Sequence, residues 1–380
     1  MQATFASILI EITNPNSDLG AISSTVVAGD GSVYFGGRDN SMVQALIERF
    51  DGSVLTEIPN PTMNNTTINA MTADTGDIIF FGGQDSSTGQ PIVWESSFTG
   101  FAELTNPNLH MGFINSCAID PIGTAYFGGL DSTTNQPLVY KYRRPHLTEV
   151  SDPNMTLGEI YAVAASTKGD QAFCGGVDNG TGQPLLYRIN PLVNPPPTLE
   201  RIANPSGDLG QINTIVFTRN NTAYLGGRNA TTYRPLIWKF ADNALTEITN
   251  PDLSLGVINT IAVASETSIY FAGQEASFHR PLVYRYNGNE LIRLTNPNTD
   301  RGMISAIGVA HGYVYFGGED LTSHKPLVYK YDGLHMTQLI NPNANLGVIN
   351  SVGVTSDWDV YFGGENFTTL MPLIYEIKHF

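Results

Sequence analysis

The chain is 380 residues long, with a formal charge of −16 and only 14% charged residues, against about a quarter in ordinary soluble chains. So acidic a balance argues against a nucleic-acid backbone or an anionic membrane as partner, because both need clustered Lys and Arg to displace counterions. Hydrophobic residues at 41% suffice for a core, and solubility then rests on Asn, Thr, Ser and Gly.

The first residues, MQATFASILIEITNPN, hold no charged segment followed by a long apolar one. No run in the chain approaches the ~18 apolar residues of a membrane span. The sequence therefore predicts a cytoplasmic protein without membrane insertion. ILIEIT reads as one short β-strand, ended by Asn14-Pro15.

Beyond it a unit recurs to the end of the chain. Aligned on the second glycine of an FGG-like motif, the copies fall at Gly37, Gly83, Gly129, Gly176, Gly227, Gly273, Gly318 and Gly364, a period of about 46 residues. Asn-Pro pairs mark the same period independently, from Asn14-Pro15 to Asn341-Pro342, with Asp152-Pro153 as the variant. The one longer step carries its extra residues in the proline-rich stretch 190–198, as a surface loop can.

Each unit holds four β-rich runs, as in MISAIGVA, YVYFGG, PLVYKY and MTQLI between residues 303 and 340, bounded by Gly, Pro, Asn or Asp. We call them strands A to D. No stretch keeps a 3.6-residue apolar period, which excludes helical repeats. Strands B and C are nearly continuous apolar runs, whereas D carries polar residues freely, so D is the outer edge and A the inner strand. Turn dipeptides such as Asp51-Gly52, Asn287-Gly288 and Asp332-Gly333 fit tight hairpins. The fold class predicted is all-β: an eight-bladed β-propeller of four-stranded antiparallel blades, residues 1–380 forming a single domain. Because the chain starts with a D-type strand and ends with the C-type PLIYEI, the N-terminal strand should complete the last blade and close the ring.

The unit resembles the kelch repeat: VYFGG at Val33–Gly37 and Val314–Gly318, an Asp close behind, and a Tyr331-Asp332-Gly333 turn. Strand D has Thr, Glu and Ile where a kelch unit carries Trp. The resemblance implies a propeller used mainly as a protein-binding platform.

Residues present in every blade answer a need of every blade. The acidic or amide residue two after the diglycine (Asp39, Asp85, Asp131, Asp178, Asn229, Glu275, Asp320, Asn366) should bind backbone N–H groups of its own or the adjacent loop. The Asn near the start of strand A (Asn69, Asn115, Asn213, Asn259, Asn350) should bond across blades or to water. Cys117 and Cys174, in apolar runs, read as buried small hydrophobes with no disulfide. The seven histidines show no ligand spacing, and no Ser sits in a nucleophile elbow. The sequence therefore predicts no metal, no cofactor and no catalytic residues.

The leading functional expectation is a monomeric, non-catalytic binding propeller, directed to a protein or glycan through the face of the B–C and D–A loops. The alternative is a hydrolase or lyase with its site at the channel mouth. Against the acidic background the B–C tips gather Arg38, Arg228, Tyr233, Arg234, Phe278, His279, Arg280, His324 and Lys325, a composition typical of interface hot spots.

Overall fold

The computed structural model describes all residues except 1–6, 15–18, 61–64, 98–99, 153–154, 190–197, 251, 253, 344 and 380. The proline-rich stretch of the longer repeat thus lies almost entirely outside the described residues. Thirty-two strands form eight separate four-stranded antiparallel sheets, and no helix occurs among the described residues. None is therefore long and apolar enough to cross a membrane.

Seven blades are consecutive in sequence. In the first, strands A to D are Gly20–Val27, Val33–Asp39, Gln44–Phe50 and Leu55–Glu57. The eighth is composite: Gly347–Val354, Val360–Asn366 and Pro372–His379 are joined by Ser7–Glu11 as outer strand, in register from Ser7↔His379 to Glu11↔Tyr375. This is the eight-bladed propeller that the repeat predicts, closed as expected by the N-terminal strand.

The core lies between blades. Each of the eight seams holds one apolar cluster, such as Phe173 of the fourth blade against Phe217 and Phe240 of the fifth, with ring centroids 5.3 and 4.8 Å apart. Both faces of B and C are covered, which is why those strands read as continuous apolar runs. Leu9 of the N-terminal strand is buried with Tyr315 and Val328 of the seventh blade, so the closing strand is packed as well as paired. Cys174 is buried in the seam between the third and fourth blades, and Cys117 is half-buried; both are free thiols. Burial raises both thiol pKa values, that of Cys174 to about 12.

Every strand A carries a β-bulge at one position: Ser23, Asn69, Asn115, Tyr161, Asn213, Asn259, Ser305 and Asn350 each fall between two paired residues. The two glycines of strand B answer to different neighbours. A Cβ on Gly128 would collide with Ile160 and Val163 of the next blade, and one on Gly129 would strike the Phe113 carbonyl of its own strand A. The sequence suggests close approach between blades for both; only the first glycine serves it.

Candidate recognition face

The loops that follow the diglycines and those that enter strand A share one face and are bonded to each other. The residue before each strand A accepts an N–H from its own blade's B–C loop, as in Asn40 N to Leu19 O (2.7 Å) and Ala276 N to Leu255 O (2.9 Å). The last loop residue then reaches the next blade. Gly256 N donates to Tyr233 O (2.8 Å), Gly302 N to His279 O (2.6 Å), Gly347 N to His324 O (2.7 Å) and, across the ring closure, Gly20 N to Leu370 O (2.7 Å).

The acid behind the diglycine fixes the same loop from within. Asp131 Oδ1 accepts Thr133 N (2.8 Å) and Thr134 N (3.2 Å), and the pattern recurs at Asp39, Asp85, Asp178, Asn229, Asp320 and Asn366. This is the backbone latch expected from Asx residues, made within the residue's own loop. Glu275, one methylene longer, departs from it: its carboxylate meets Arg293 at 3.1 Å. Burial pulls the Asp131 carboxyl upward, but the Thr134 and Thr133 donors and the His110 ring, 2.6 Å away, outweigh it and hold it below the usual carboxylate range.

The bulge amides act on the inner rim. Asn69 Nδ2 donates to Ile114 O (2.8 Å), Asn115 to Ile160 O (2.9 Å), Asn213 to Ile258 O (3.0 Å), Asn259 to Ile304 O (3.1 Å) and Asn350 to Ile22 O (3.0 Å). Each clamps its blade to the next, the cross-blade bonding expected from the sequence. Blades carrying Ser23, Tyr161 or Ser305 lack that amide.

On this braced frame the basic and aromatic tips fall into distinct groups. In the fifth blade Arg228 lies over the Tyr233 ring at 5.5 Å, and in the sixth Arg280 lies over Phe278 at 5.0 Å. In the seventh, His324 Nδ1 is 3.1 Å from Glu319 Oε1. Among the described residues Arg228, Arg234, Arg280 and Lys325 form no ion pair. Arg38 does not join them: it sits half-buried in strand B of the first blade, across the ring from the fifth.

Tyr233, His279 and His324 occupy the left-handed position of the loop, with φ of 59°, 53° and 54°. Val43, Asn135 and Leu370 hold the same position in the first, third and eighth blades, and Gly89 and Gly182 take it in the second and fourth, so the conformation belongs to the loop of every blade.

Sequence reasoning missed a second feature of this face. The residue before each strand A is Leu19, Asn65, Met111, Leu157, Leu209, Leu255, Arg301 or Leu346, and the six apolar ones are 36–54% exposed. Their backbone is already committed to the B–C loop, so the latch accepts any residue there. The result is a crown of aliphatic side chains around the channel mouth, broken by Asn65 and, next to the basic sector, by Arg301. The recurring Leu-Gly at the start of strand A is its sequence signal.

The chain matches no family model and no curated protein. Among solved structures it is similar to one described as the structure of the Dos1 propeller, at 10% identity over 97% of this chain and 95% of that one, with a TM-score of 0.68. It is also similar to the β-propeller domain of the Trilobed protease from Pyrococcus furiosus, described as having an open velcro topology, at 11% identity over 95% and 97% of the two chains and a TM-score of 0.51. The likeness is one of fold. In the present chain the last blade takes its fourth strand from the N-terminus.

Proposed function

We propose that this propeller is a non-catalytic recognition module that takes a protein partner on the B–C and D–A loop face. The observation that carries the reading is the aliphatic crown: six exposed side chains at one repeat position whose backbone needs are met without them. An apolar ring rimmed by polar residues is what a protein interface offers, and repetition sets it apart from scattered surface leucines. The arginine–aromatic pairs of the fifth and sixth blades add anchors of the type that dominates binding energy. The kelch-like pattern of the repeat, read as kinship in use as well as in form, supports a binding platform over an enzyme.

The experiment is a binding measurement with a partner recovered from the native host, at two salt concentrations. Replacing Arg228, Arg280 and Lys325 together by Ala should weaken binding at least about tenfold and flatten its salt dependence. Asp332→Ala, in a C–D turn on the opposite face, should leave both unchanged. Equal losses from the two faces would refute the assignment.

A further inference from the structure

The opposite mouth of the channel, where the A–B turns emerge, carries a cavity of about 360 Å³ lined by Arg219, Val263, Ala264, Ser265, Glu266, Val309 and Trp358. These residues come from the fifth, sixth, seventh and eighth blades, and only near the axis can one cavity touch four blades. Its size lies at the lower end of small-ligand sites. It is independent of the recognition face.

Trp358 breaks the repeat. In the first, third, fourth and fifth blades the same turn closes by an N–H bond from Gly31, Gly123, Gly169 or Asn221 to the residue three before it, and these residues have φ between 67° and 85°. Trp358 N makes the equivalent bond to Thr355 O at 2.9 Å with φ of 70°. A bulky side chain is a steric outlier where the first, third, fourth and fifth blades use glycine or a short amide. Burial does not compensate it: Trp358 is 49% exposed, whereas Trp94 and Trp238 are 0% and 3% exposed in the core. Its ring neighbour among the described residues is His311, with centroids 6.4 Å apart.

The polar groups narrow the ligand. Arg219 is exposed and forms no ion pair among the described residues. Glu266 accepts Asn220 N at 3.0 Å and keeps further acceptor capacity. One cation beside one carboxylate suits a ligand with a single negative charge and several hydroxyls; a phosphate's second charge would meet Glu266. The Trp358 ring together with Val263, Ala264 and Val309 in the same lining suits the C–H face of a saturated ring. We propose that this cavity binds a pyranose carrying a carboxylate, its ring on Trp358, its carboxylate on Arg219 and its hydroxyls on Glu266.

Because the other two tryptophans are buried, acrylamide quenching of the intact chain reports mainly on Trp358. Glucuronate should protect it saturably, and glucose, which differs by the carboxylate, should need at least about tenfold more. Arg219→Gln should bring the two sugars within about twofold. Trp358→Gly should abolish the calorimetric binding of glucuronate while the melting temperature holds or rises, because glycine relieves the backbone. No saturable protection by glucuronate, equal protection by both sugars, preference for adenosine monophosphate, or a melting temperature that collapses in Trp358→Gly would each overturn the proposal.

Discussion

Asn350 Nδ2 donates to the Ile22 carbonyl at 3.0 Å across 328 residues of sequence, tying the inner strand of the last blade to that of the first. At the outer edge of the same blade the N-terminal strand Ser7–Glu11 pairs with Pro372–His379. The ring is thus closed at both radii.

Deleting residues 1–14 removes the outer strand with its buried Leu9 and uncovers the backbone edge of Pro372–His379, a template for association. The truncated chain should melt several degrees lower and form oligomers on a sizing column. A monomer melting like the full chain would contradict closure by this strand.

The inner ties can be tested in both directions. Asn259→Ala removes the donor to Ile304 O and should cost about 1 kcal/mol. Ser305→Asn places an amide at a bulge that lacks one and should gain a similar amount by reaching Ile349 O. Thermal melts of the two variants check the pair. Unchanged melting in both would mean that water replaces the clamp at no cost.

Much of this frame was legible because a propeller repeats its constraints. Seven diglycines and the Ala272-Gly273 of the sixth blade mark the blade number, ILIEIT at one end and PLIYEI at the other mark the permuted closure, and the Asx position marks the latch. The bulge was not legible, since an extra residue in strand A leaves no mark in a short apolar run; only the Asn there hinted at it. The crown was hidden for a related reason. A Leu beside the Gly-x-Ile of a strand looks like the start of a core strand, and only the turn of the D–A loop carries Leu157 or Leu346 out to solvent. Trp358 reads as one more residue of a polar turn until that turn is superimposed on the one that holds Gly31.

The latches give stability a defined dependence on pH. Burial raises the carboxyls of Asp85 and Asp131, but the hydrogen-bond donors around them outweigh it, and both lie below the usual carboxylate value. A group depressed in the folded state contributes stability above its unfolded pKa of about 3.9 and loses it as pH falls through the folded value. Melting temperature should therefore hold down to about pH 5 and fall below about pH 4. Asn229 and Asn366 make the same backbone bonds without a charge, so Asp85→Asn with Asp131→Asn should keep the fold and soften the acid limb. An identical acid limb in the variant would place the sensitivity elsewhere.

The crown allows the proposed recognition to be tested apart from stability. Leu157, Leu209 and Leu346 are 48%, 46% and 39% exposed, and their carbonyls accept Asn179 N, Ala230 N and Phe367 N whatever the side chain. Substituting all three by Ser removes aliphatic surface from the mouth and leaves every latch bond in place. Exposed positions of this kind change stability by no more than about 0.5 kcal/mol each, so the melting temperature should move little. Retention on a hydrophobic interaction column should drop clearly, because these are three of the six exposed apolar side chains at that repeat position. Binding of a protein partner should weaken with it, through the crown and not through loop collapse. Loss of the fold in the triple variant would show that the leucines brace the blades, and the recognition reading would lose its main support.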